Sequence, residues 1–119
     1  MPSGGNWPGR WSKKSLVATQ KPTSQEIAWA AGLYEGEGYC DVHGSSERVL
    51  VSQKDTWILE KLKILFGGTL QYPSKKSTTP CSNWEVYGGR ARGFLMTIYS
   101  FLSPRRREQI KKKGIMFHA

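Results

Sequence analysis

The stretch AGLYEGEGYC, residues 31 to 40, sets two carboxylates, Glu35 and Glu37, between glycines at the downstream end of a predicted helix. Carbonyls without partners leave partial negative charge at a helix C-terminus, where each nearby anion is disfavoured by roughly 0.3 to 1 kcal/mol unless a counter-charge offsets it. Carboxylate and carbonyl oxygens are hard ligands, and the counter-charge that suits them is Mg²⁺. This ion binds through one or two carboxylates and completes its shell with water and phosphate oxygens. The rest of the chain favours a source of phosphate. Its 119 residues carry 18 Lys and Arg against 9 Asp and Glu, a formal charge of +9 and a pI near 9.8. That balance suits a polyanionic partner, either nucleic acid or an anionic membrane surface. Metal-assisted phosphodiester hydrolysis is the chemistry these residue types allow.

The helix that delivers the two acids starts at TSQE, where Thr23 is a cap and Glu26 completes a capping box, and it is expected to run to about Tyr34. Ala28, Gly32 and Gly36 follow one another at intervals of four along one face, with Ala31 beside them. Gly32 costs about 1 kcal/mol relative to Ala inside a helix, so the stripe is expected to serve close packing. It meets either this chain's own sheet or the same stripe of a second copy. In the second case Glu35 and Glu37 meet their counterparts, and four carboxylates crowd two carbonyl-rich helix ends. Only divalent cations or a similar counter-charge would then make the arrangement tolerable.

Beyond Gly38, YCDVH and RVLVS alternate on either side of a Gly-Ser turn and read as a hairpin. DTWILEKLKILFGG offers Asp55 as N-cap, a face of Ile58, Leu59, Leu62, Leu65 and Phe66, and Gly67-Gly68 as a stop. TLQY and NWEVYG make two more strands and ARGFLMTIYSFL a third helix. Ser103-Pro104 ends that helix and caps a basic one, RRREQIKKK. The order α-β-β-α-β-β-α-α predicts one antiparallel four-stranded sheet with helices on one face, an α+β fold.

The 38% hydrophobic content fills one modest core, so a single domain over residues 23–119 is expected after a basic, Gly/Pro/Ser-rich arm, residues 1–22. Trp7 and Trp11 in that arm are available to dock on the domain or to stack on a ligand. No run approaches the ~18 apolar residues of a membrane span, and the first thirty residues lack the apolar core of a signal peptide; a soluble, unexported protein is expected. Cys40 and Cys81 are too sparse for a disulfide framework and read as small buried residues in a reducing compartment. Cys40 and His43 have ligand-like spacing, yet no second close pair completes a zinc site.

WAAGLYEGEG resembles the signature of the LAGLIDADG homing endonucleases: Ala30 to Gly38 fit its nine positions, with Glu35 and Glu37 replacing two aspartates. VSQKDTWILEKLKILFGG and YSFLSPRRREQIKKK look like that family's second strand, second helix and C-terminal helical segment, so the resemblance spans about residues 24 to 113. A single motif is similar to the homodimeric members. The resemblance implies an αββαββα protomer whose sheet becomes a saddle over double-stranded DNA, with Ala28, Ala31, Gly32, Glu35 and Gly36 at the dimer interface. It implies that Glu37 binds the essential Mg²⁺ with the Gly36 carbonyl as co-ligand, and that Glu35 is structural. Gln53 matches a polar residue that orders the hydrolytic water. Arg105 falls where a basic residue stabilises the scissile phosphate, and Arg106 or Arg107 takes that place if the alignment shifts. Arg in place of the commoner Lys keeps electrostatic support rather than proton transfer. The function so implied is Mg²⁺-dependent cleavage of both strands of a long, near-palindromic site, leaving short 3′ overhangs, by an intron-borne enzyme. Its rivals are a cleavage-silent relative that binds DNA or intron RNA, and a structural basic protein.

Strand alternation sets the face that would meet DNA. With Cys40, Val42, Trp84 and Val86 turned to the helices, the opposite face carries Tyr39, Asp41, His43, Leu50, Ser52, Gln71, Asn83, Glu85 and Tyr87. In a major groove Gln71 and Asn83 would recognise adenine, and Asp41 or Glu85 would accept from cytosine. Arg48, Lys54, Lys75, Lys76 and the last basic helix would contact phosphates.

Overall fold

Thr23 starts the first helix as its sequence requires. In the computed structural model, which describes residues 17–73 and 80–115, the Thr23 hydroxyl accepts from the Glu26 amide at 3.1 Å and the Glu26 carboxylate accepts from the Thr23 amide at 2.9 Å. Trp7, Trp11, Lys75 and Lys76 lie outside the described residues, as does the side chain of His43. Helix α1, Ser24–Glu37, runs past the expected end at Tyr34 and carries both acids in its last turn. It passes without a loop into β1, Gly38–His43. That direct entry depends on glycine, because a Cβ at Gly38 would collide with the ring of Tyr34.

Strand β2, Ser46–Gln53, closes a hairpin on β1 through Gly44, whose φ of 66° suits glycine. Helix α2, Thr56–Phe66, has Asp55 at its N-cap position, although the Asp55 side chain makes no capping bond. Gly67 and Gly68, with φ of 78° and 97°, end it and lead into β3, Thr69–Gln71. Strand β4, Ser82–Tyr87, is followed by α3, Gly88–Ile98, a short 3₁₀ turn at Tyr99–Phe101, and α4, Pro104–Lys112. Ser103 caps α4 by accepting from the Arg106 amide at 3.2 Å. The predicted element order stands, and the sheet is antiparallel throughout in the order β1-β2-β4-β3.

One face of the sheet, with Cys40, Val49, Val51, Trp84 and Val86, packs on Ala30, Ala31 and Tyr34 of α1, Leu59 and Leu62 of α2, and Phe94, Leu95 and Ile98 of α3. Phe94 makes edge-on contacts with Phe66 and Trp84 at ring separations of 4.9 and 5.0 Å. The Trp84 indole donates to the Gly67 carbonyl at 2.8 Å, which ties the centre of the sheet to the end of α2. Val42 differs from expectation: it has the helix-facing parity, but at the hairpin tip it lies beyond the helices and is 44% exposed. Ahead of α1, the amides of Thr19 and Gln20 donate to the Ile64 carbonyl, so the last residues before the capping box are fastened to α2. No helix among the described residues is long and apolar enough to cross a membrane.

Lys63 is buried on α2 and donates to the Gly68 carbonyl at 2.5 Å. Burial disfavours its charged form and pulls its pKa down to about 8. The unfolded chain, with an ordinary lysine pKa near ~10.4, binds more protons between these values, so stability should rise as pH climbs from about 8 toward about 10. Denaturation midpoints across that range should show the rise in the parent protein and its loss in Lys63→Met.

Candidate active site and nucleic-acid face

The end of α1 meets the start of α4. The Glu35 carboxylate accepts from the Ser103 amide at 2.9 Å and from the Ser103 hydroxyl at 2.7 Å, at the electropositive N-terminus of α4. Arg106 lies over the Tyr34 ring and donates from Nε to the Glu35 carbonyl and from Nη1 to the Gly38 carbonyl, both at 3.0 Å. Within the protomer this is a counter-charge of the kind the acidic helix end calls for. A guanidinium serves the carbonyls, and a second helix N-terminus serves Glu35, all within one chain. The Glu35 carboxylate is thereby engaged with Ser103 within the protomer. Nothing local signals this pairing, because Ser103 lies 68 residues downstream of Glu35.

The Ser103 amide and hydroxyl hold the Glu35 carboxyl below the ordinary glutamate range. A depressed folded pKa stabilises the protein above the unfolded value, and that contribution is lost as pH falls through the folded one. Glu35→Gln, which keeps an acceptor but loses the charge, should cost about 1 kcal/mol at neutral pH after allowance for partial exposure. The gap between parent and variant denaturation midpoints should close in acid.

Glu37 is exposed, as is Gly36, whose carbonyl is not among the acceptors of Arg106. Arg105 stands in the first turn of α4 with its side chain 67% exposed and its guanidinium 4.0 Å from the Glu35 carboxylate. The Ser103 clamp therefore leaves Arg105 open to solvent at this helix junction, whereas Arg106 is committed to structure. Gln53 ends β2, two residues past Val51, the partner of Gly38, and so lies at the end of the sheet where α1 delivers Glu37. Its alternation places it in the helix-facing row, half-buried. Among the described residues no group of three or more His, Cys, Asp or Glu side chains is placed to hold a metal. Glu37 with the Gly36 carbonyl supplies two hard oxygens, a donor set that fits Mg²⁺ as part of a site completed by other oxygens.

On the sheet face away from the helices, register aligns Asp41, Arg48 and Tyr87; Tyr39, Leu50 and Glu85; and Ser52, Asn83 and Gln71. Asp41 accepts a two-point bond from Arg48, 3.1 Å to Nε and 2.8 Å to Nη2. Glu85 accepts from the Tyr87 hydroxyl at 2.8 Å and from Gln71 at 3.4 Å, and is 6% exposed. The bond to Glu85 raises the Tyr87 pKa. The Ser52 hydroxyl donates to Asn83 Oδ1 at 2.6 Å, leaving the Asn83 amide group as a donor. The expected face is present, but two of its residues differ from expectation. Arg48 lies within the face, bound to Asp41, and Glu85 is covered by its neighbours. Lys113 adds a contact that periodicity could not show, its Nζ 4.7 Å over the Tyr39 ring, fastening the end of α4 to β1. Lys54 is exposed beyond β2.

Ala28, Gly32 and Gly36 are exposed, and a Cβ at Gly32 or Gly36 would meet nothing within 4 Å. The stripe does not pack on this chain's sheet. Ala31 does: it is 2% exposed in the core.

No protein-family model matches the sequence, and no curated protein matches it. Solved structures do. The group I intron-encoded homing endonuclease I-CeuI, complexed with DNA, matches 92% of this chain with a TM-score of 0.62 and 13% identity. The chain has the homing-endonuclease fold. The homing endonuclease I-CvuI, solved with a DNA target and Mg in a state where the DNA is not cleaved, matches 73% of the chain with a TM-score of 0.55 and 24% identity. The homing endonuclease I-TnaI matches 80%, with a TM-score of 0.54 and 15% identity. The chain spans 62% of the length of both I-CeuI and I-CvuI and 71% of I-TnaI. In this homing-endonuclease fold the α1 end, with Glu37, and the first turn of α4, with Arg105, share one junction.

Proposed function

We propose that this chain is a LAGLIDADG-type homing endonuclease that works as a homodimer on a long, near-palindromic duplex. The observation that supports this most is the exposed carboxylate of Glu37 at the margin of an open polar sheet face, beside an arginine helix anchored at the same junction. Glu37 and the Gly36 carbonyl would hold a divalent cation, which supplies positive charge to the scissile phosphodiester and its departing oxygen. Arg105 keeps a permanent charge available to the same phosphate, and Gln53 would orient water by hydrogen bonding. Gln71, Asn83 and Tyr39 present donors and acceptors to base edges, and Lys54, Lys111 and Lys112 neutralise phosphates at the rim.

Incubating the protein with a randomised duplex library and Mg²⁺ tests the reading, since a nuclease returns recurrent sites with cut ends. Recurrent sites bound but never cut would support the cleavage-silent rival, and no recurrent site would overturn both. On the selected duplex, log K should fall by about 0.9 per neutralised phosphate for each tenfold rise in salt. Replacing the exposed Lys111 and Lys112 with Gln should make that slope shallower without changing the preferred sequence, as filter binding across a salt series would show.

A further inference from the structure

We propose that Arg48 reads a guanine in the major groove, with Asp41 and Tyr87 as positioning residues that aim its guanidinium. The assignment rests on the sheet being a duplex-binding face, and it names the base and the reader. Arg48 is on β2, an interior strand, directly between Asp41 on β1 and Tyr87 on β4. Across the sheet its position is interior, with a strand on either side, in the row of the last residue of β4.

Asp41 takes one edge of the planar guanidinium through Nε and Nη2. Tyr87 stands beside Arg48 on its other flank, with its hydroxyl donating to Glu85 at 2.8 Å. Arginine has five N–H donors, so after the two bonds to Asp41 the far side of the fork still has a pair to offer. Guanine presents a matched pair of acceptors, N7 and O6, in the major groove. The fork is held by Asp41 and flanked by Tyr87, so its side chain is ordered before a duplex arrives and less entropy is lost on contact. The two acids expected to accept from cytosine have other work. Both Asp41 oxygens hold Arg48, and Glu85 is covered while it holds Tyr87 and Gln71.

The test uses the duplex selection on the parent and on Arg48→Lys, Asp41→Asn and Tyr87→Phe, with thermal melts to establish that each variant is folded. Arg48→Lys keeps the charge and stem but loses the fork. It should lower the preference for guanine at one position of each half-site by about tenfold or more while the salt slope stays unchanged. Asp41→Asn and Tyr87→Phe should weaken the same preference by less. Unchanged guanine preference in Arg48→Lys overturns the assignment. So does a loss in Asp41→Asn at a position that Arg48→Lys leaves intact, which would mean that Asp41 reads cytosine. If the parent recovers no recurrent duplex, the nuclease reading falls and this assignment with it.

Discussion

Glu37→Gln is expected to lower strand cleavage by at least about a hundredfold while leaving binding intact or tighter. The substitution keeps the length and nearly the volume of the side chain and removes the charge that would attract a divalent cation. A metal's stabilisation of a phosphoryl-transfer transition state is worth several kcal/mol, which sets the scale of the loss. Glu37 is exposed, and the described hydrogen bonds that secure the end of α1 run through Glu35, Ser103 and Arg106 instead. The protomer should therefore melt as the parent does. In the absence of metal, removing an anion from beside the DNA phosphates favours association. Glu35→Gln gives the opposite profile: a measurable loss of stability from the Ser103 clamp and a smaller loss of cleavage. The comparison needs the selected duplex, matched protein concentrations, and separate binding and cutting assays with Mg²⁺ and Ca²⁺. Parental cutting by Glu37→Gln together with an inactive Glu35→Gln would move the metal role to the other acid.

The contrast between those two acids shows where sequence reading succeeds on this chain and where it stops. Helix starts and stops are local. Thr23 with Glu26, Gly67-Gly68 and Ser103-Pro104 fix their helix ends within a few residues, so the element order is legible without tertiary information. Strand alternation likewise separates Trp84 and Val86 from Asn83, Glu85 and Tyr87, because side-chain direction has a period of two. Contacts made by pairing distant segments are not legible in this way. The partner of Glu35 arrives on α4, and Arg106, one of three adjacent arginines, is selected for structure by where the first turn of that helix falls against Tyr34. Arg48 reads as a rim cation until hairpin register places it opposite Asp41. Glu85 is covered because β3 and β4 pair so that Gln71 and Tyr87 both reach it. Each of these depends on register or docking, and each changes which group is available to a ligand.

Gly32→Leu should turn the proposed dimer into a folded, stable monomer. A glycine inside α1 is costly by about 0.8 to 1 kcal/mol relative to a good helix former, and leucine is one. In the single chain nothing stands in the way: Gly32 is exposed, and a Cβ there meets no atom within 4 Å. An isolated protomer should consequently gain stability from the substitution. The effect changes sign only if a second helix lies along Ala28, Gly32 and Gly36, because a branched side chain would then separate two backbones that glycine allows to touch. Sedimentation of Gly32→Leu should show one chain's mass with a melting temperature no lower than that of the parent monomer. Cleavage should fall with the dimer, because the two Glu37 carboxylates would no longer be brought to neighbouring phosphates. A parent that sediments as a monomer, or a variant that remains a dimer, would remove this stripe from the interface, and the unused glycines on α1 would need another partner.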